Sequence, residues 1–191
     1  MTTLDVRTNT LTILSPSNDM DPNRADLAPR PASMSGLRVG ILDNGKPNSD
    51  RLLELLGSNL VAGYGVDITT VVHKPAIGRL APSSIVDKLM SVSDVVVTGV
   101  GDCAGCCSCT IADAVVLEGK GVPVAAICTT EFVTAAALAA ASAGAPGYDV
   151  AVMPHPFGSC TEPQLAERAL SLTERIVALL TVRSAAEADE L

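Results

Sequence analysis

A chain of 191 residues with 48% hydrophobic content is long enough to bury one core, which two Phe, two Tyr and no Trp force to be built from Val, Leu, Ile and Ala. So few aromatics exclude a base-stacking platform for single-stranded nucleic acid, and a formal net charge of −8 with no basic run argues against phosphate backbones and anionic membrane surfaces. One domain acting on a small molecule is expected.

Residues 1–35 read as an N-terminal arm: one short apolar run, Leu11 to Leu14, then a stretch rich in Pro, Asp and Asn through Pro31. The opening MTTLDVRTNT lacks the basic and apolar regions of a secretory leader, and no apolar stretch reaches the roughly 18–20 residues that span a bilayer. A cytoplasmic protein is expected, in which thiols stay reduced and a dense group of them means catalysis or metal binding more than a disulfide framework.

From Leu37 short apolar runs alternate with helical segments. LRVGIL, DITTVV, DVVVTGV, VPVAAIC and YDVAVM read as strands, and Ser49 to Ala62, Pro82 to Ser91, about Cys109 to Gly121, Glu131 to Ser142 and Glu162 to Leu180 as helices. Thr161 is placed to cap the last helix, and Leu165, Leu172, Ile176, Leu179 and Leu180 form its apolar stripe. The Ala-rich TAAALAAASAGA favours a helix packed closely on the sheet over one packed on another subunit. This alternation predicts a single doubly wound α/β domain over residues 36–182, flavodoxin-like, with a five-stranded mostly parallel sheet in the order 2-1-3-4-5, and an acidic tail over 183–191.

In such folds ligands bind at the carboxyl ends of the strands. Those ends here are Asp43-Asn44-Gly45-Lys46 after the first strand, Gly99 to Cys109 after the third, Cys128-Thr129-Thr130-Glu131 after the fourth, and His155 to Cys160 after the fifth. All six cysteines fall on this edge. Cys103 and Cys106 form a Cys-X-X-Cys pair that precedes a helical pattern, and a helix N-terminus favours a thiolate. Asp43, Asn44, Lys46, Asp102, Thr129, Glu131 and His155 are the candidate substrate-binding residues beside it. Against this stands the reading of the cysteines as small buried hydrophobes, which is weightier for Cys128 and Cys160 than for the cluster.

The segments ILDNGKPN, TGVGDCAGCCSCTIADAVVLEGKGVPVAAICTTEF and VMPHPFG resemble the UGSC family, named for a selenocysteine-Gly-Ser-Cys motif; the resemblance spans roughly Ala28 to Phe157. It implies that Cys103 stands where the family carries selenocysteine and Cys106 where it carries the second thiol, with Ala104-Gly105 in place of Gly-Ser. The family is also similar, distantly, to the selenoprotein B subunits of glycine and betaine reductases, which implies a nucleophilic chalcogen that cleaves a substrate bond.

Four functions follow in order of preference. The first is a thiol-dependent enzyme for redox or reductive cleavage, with Cys103 attacking a small electrophile and Cys106 resolving the adduct, no resident cofactor, and an external dithiol reductant. The second is a cofactor-independent lyase, hydratase or isomerase that uses Cys103 and Cys128. The third is an iron–sulfur or zinc protein that draws ligands from Cys103, Cys106, Cys107, Cys109, Cys128 and Cys160. The fourth is a non-catalytic subunit, with the arm and the Ala-rich helix binding a larger catalytic partner or a second copy of the chain.

Overall fold

The computed structural model describes residues 4–5, 10–11 and 25–182; the acidic tail read over 183–191 lies outside them. Two short strands, β1 (Leu4–Asp5) and β2 (Thr10–Leu11), pair antiparallel. The domain then runs β3 (Arg38–Asp43), α1 (Ser49–Tyr64), β4 (Asp67–His73), α2 (Ser83–Val92), β5 (Val95–Gly101), α3 (Ala104–Glu118), β6 (Val124–Thr129), α4 (Val133–Ser142), β7 (Ala151–Met153) and α5 (Glu162–Leu180).

The five strands from β3 onward form one parallel sheet in the order β4-β3-β5-β6-β7, the flavodoxin-like order expected. Because successive strand residues face opposite ways, each central strand feeds two cores. Val95, Val97, Ala125 and Ile127 meet α1 and α5 on one face, while Val96, Val124 and Ala126 meet α2, α3 and α4 on the other. On α1, Leu52, Leu53, Leu56 and Leu60 are almost wholly buried, each stabilising the fold by about 2 kcal/mol. That helix stops at Gly65, whose φ of 64° suits a residue without Cβ and whose N–H donates to the Val61 carbonyl. At the start of α5 Gln164 Oε1 accepts from the Thr161 N–H at 2.9 Å, completing a capping box.

Three boundaries differ from the sequence expectation. β7 is paired only over Ala151–Met153, because Tyr148 is drawn into the second core, where its hydroxyl donates to the Val124 carbonyl at 2.6 Å. Residues 25–35 of the arm dock on the domain: the Ala25 N–H donates to the Gly144 carbonyl, Met34 is 2% exposed, and Arg30 forks onto buried Glu118 at 2.8 Å. Glu118 also accepts the N–H groups of Ala28 and Val124, so a single carboxylate ties the arm to the end of α3 and the start of β6. Finally, α3 begins at Ala104, ahead of the predicted Cys109, so Cys106, Cys107 and Cys109 are helical. In the Ala-rich α4, Ala136 and Ala140 are buried toward the sheet and Leu138 stands 65% exposed on its outer face.

Candidate active site

The early start of α3 has a local cause. Cys103 is extended (φ −160°, ψ 159°) and caps the helix, its Sγ accepting the Cys106 N–H at 3.2 Å. Gly101, the last residue of β5, lets the helix close on the strand: a Cβ there would lie 3.0 Å from the Cα of Cys107. Cysteine is a weak sequence signal for a cap, which is why the boundary was not legible.

This turn brings the Cys103 and Cys106 sulfurs into contact as a disulfide-like pair, with Cα atoms 5.4 Å apart. Cys106 is 1% exposed and Cys103 is partly open. The Asp102 N–H donates to the Cys106 Sγ at 3.3 Å, and the helix N-terminus adds its positive end, so both favour negative charge on these sulfurs.

Beside the pair, the ends of four strands converge on Asp102, whose side chain is 6% exposed. His155 Nδ1 lies 2.8 Å from Asp102 Oδ1, Lys46 Nζ pairs with Oδ2 at 3.2 Å, and the Thr129 hydroxyl, 3.2 Å from His155 Nδ1, donates to Oδ1 at 3.3 Å. Lys46 also reaches the Asp102 carbonyl at 3.3 Å. The Phe132 ring leans on the imidazole with centroids 5.8 Å apart. Gly158 completes this wall: a Cβ there would meet Lys46 Cε at 3.8 Å and Asp102 Oδ2 at 4.0 Å.

Other sequence candidates sit behind or beside this group. Asn44 is fully buried, its amide donating to the Val100 carbonyl at 2.9 Å and the Thr110 hydroxyl at 3.0 Å, while its Oδ1 accepts the Lys46 N–H; it holds the loop that presents Lys46. Asp43 is 2% exposed and accepts from Ser49, from the Gly45 N–H and from His73 Nδ1 at 2.7 Å. Glu131 is exposed on a 3-10 turn and makes no hydrogen bond to the Asp102 group among the described residues.

The remaining thiols separate. Cys128 and Cys107 are both fully buried, and the Cys107 Sγ donates to the Phe132 carbonyl at 3.6 Å. Interaction with the neighbouring Cys107 thiol, followed by burial, pushes the Cys128 thiol far above its ordinary range, whereas the same interaction draws Cys107 down against burial. Cys160 Sγ meets the Pro156 carbonyl at 3.5 Å, and Cys109 is partly exposed on α3. Among the described residues no group of three or more His, Cys, Asp or Glu converges as a metal-holding set. The structure therefore joins Cys103 with Cys106 and Cys128 with Cys107, and it joins Lys46, Asp102, Thr129 and His155. Sequence reasoning missed the supports: Ser49 behind Asp43, Thr110 behind Asn44, and Gly101 under α3. A glycine that ends an apolar strand before the cluster was the available signal for the last.

Fold and site together define a class: flavodoxin-like α/β proteins with a capped thiol pair at the carboxyl edge of the sheet, flanked by a carboxylate–imidazole pair. The chain belongs to the UGSC family, whose sequence model matches residues 12–182. No curated protein matches it. Among solved structures it is similar to the signal receiver domain of the response regulator NarL from Mycobacterium tuberculosis, at 13% identity and a TM-score of 0.36, covering 73% of this chain and 98% of that one; nothing about activity follows from that likeness. No helix among the described residues is long and apolar enough to cross a membrane.

Proposed function

We propose that the protein is a thiol-dependent enzyme that reduces or reductively cleaves a small molecule through Cys103 and Cys106. The observation that carries this reading is the asymmetric contact of the two sulfurs, with Cys103 partly open at the cap of α3 and Cys106 buried one turn behind it. Attack needs an accessible thiolate and resolution needs a second thiol shielded from competing electrophiles.

In the reduced enzyme the Cys103 thiolate displaces X from a substrate R–X, forming Cys103–S–R. The Cys106 thiolate then attacks the Cys103 sulfur, forming the disulfide and expelling R with the electron pair of the S–R bond. The two thiol protons end on the products, so R–X and the dithiol give R–H, HX and the disulfide. R must tolerate that electron pair, as a sulfur or a carbon beside a carbonyl does. An external dithiol reductant returns two electrons to the pair.

Oxidised glutathione, a small disulfide, tests the order of events. Cys106→Ser should accumulate a glutathione adduct at Cys103 by mass spectrometry, whereas the wild type should release glutathione and form the internal disulfide. Absence of any adduct at Cys103 in Cys106→Ser, with the label found elsewhere, would contradict the assignment.

A further inference from the structure

An imidazole set on a buried carboxylate directly before the attacking cysteine in the chain is more than structure requires. Asp102 is already paired with Lys46 and bonded by Thr129, so its charge is compensated without His155. His155, for its part, is a third exposed and gains little burial. Nδ1 faces the carboxylate, 2.8 Å from Asp102 Oδ1, and Nε2, which has no hydrogen-bond partner among the described residues, is the ring nitrogen open to a proton-exchange partner. The ring is held in place from several sides. Its own backbone N–H donates to the Thr130 hydroxyl at 3.3 Å, Thr129 Oγ1 lies 3.2 Å from Nδ1, and Phe132 covers one side.

We infer that His155 is the proton carrier of the thiol centre, with Asp102 as the residue that positions it. This inference rests on the proposed thiol chemistry and adds the path of one proton. His155 Nε2 takes the proton of the Cys103 thiol, giving a thiolate beside an imidazolium stabilised by Asp102. After Cys106 closes the disulfide, the imidazolium gives that proton to the expelled R, which leaves as R–H, and His155 returns to neutral. The charged groups in contact with this machinery are Asp102 and, through it, Lys46.

The test is the rate at which iodoacetamide labels Cys103 in the reduced full chain from pH 5.5 to 9, mapped by mass spectrometry. An ordinary thiol labels tenfold faster per pH unit up to about 8.5. The wild type should label rapidly well below pH 7. His155→Gln should be tenfold or more slower at pH 6.5 and converge with the wild type near pH 9. Added imidazole should restore the rate in His155→Gly and leave the wild type unchanged, a rescue that a merely structural role would not give. Asp102→Asn, checked by thermal melting for folding, should slow labelling at pH 6.5 in the same direction, with partial recovery in Asp102→Glu. Identical pH–rate curves for His155→Gln and wild type, or equal imidazole effects on wild type and His155→Gly, would overturn the inference. Failure of the underlying thiol reading has a different signature: wild-type Cys103 labelled no faster than Cys109 and Cys160.

Discussion

Gly101 and Cys107 touch almost backbone to backbone, and this approach sets where α3 begins and so where the thiol pair stands. Gly101→Ala must push the helix off β5, with an expected destabilisation of about 2 kcal/mol. Denaturant unfolding reads the loss, and faster alkylation of the otherwise buried Cys107 reads the displaced helix. An unchanged midpoint together with unchanged Cys107 protection would show that the contact does not position α3.

Arg30 leaves Glu118 as a buried, unpaired charge when it is removed. Arg30→Ala should lower stability by about 3 kcal/mol, and limited proteolysis should then cut within residues 25–35. Wild-type resistance to cleavage in the variant would mean that the arm is held by something other than this ion pair.

Cys103→Ser keeps a side-chain acceptor able to cap α3, an oxygen in place of the sulfur, whereas Cys103→Ala does not. The serine variant should melt close to the wild type while losing adduct formation with oxidised glutathione. The alanine variant should lose about 1 kcal/mol as well. Equal melting temperatures for the two variants would remove the capping role from Cys103.

How much of this was legible in the sequence follows from how local each signal is. The strands announced themselves through runs such as Val95-Val96-Val97, because a strand buried on both faces needs apolar residues on both. The strand order was legible from the alternation of elements, and the cysteine-bearing edge from the order. The meeting of Asp102 with His155 was not legible, although both were candidates, because only the sheet register brings the ends of distant strands together. The pairing of Cys107 with Cys128 was equally hidden: Gly101 lies opposite Cys128 in register, and Cys107 reaches that level only through the close approach of α3. The Arg30–Glu118 fork had no sequence signal, since a Glu near a helix end reads as solvated.

Cys128 predicts an alkaline weakness. Its thiol is raised in the folded state, so its contribution to stability is complete below the ordinary thiol value of about 8.5 and declines as pH rises above it, where the unfolded chain ionises and the folded one does not. Between pH 8.5 and 10 stability should fall by up to about 1.4 kcal/mol per pH unit from this group. Cys128→Ala should flatten that slope in denaturant unfolding across the same range. An unaltered slope in the variant would show that Cys128 ionises freely in the folded protein.

The central claim, that Cys103 and Cys106 act as one redox couple, is tested most directly by equilibrating the protein in graded dithiothreitol and glutathione buffers and trapping free thiols with isotope-coded alkylation. The account predicts that Cys103 and Cys106 lose and regain reactivity together in a single two-electron transition, with Cys107 and Cys128 unaffected. Independent titration of the two thiols, or a disulfide that joins either of them to another cysteine, would contradict it.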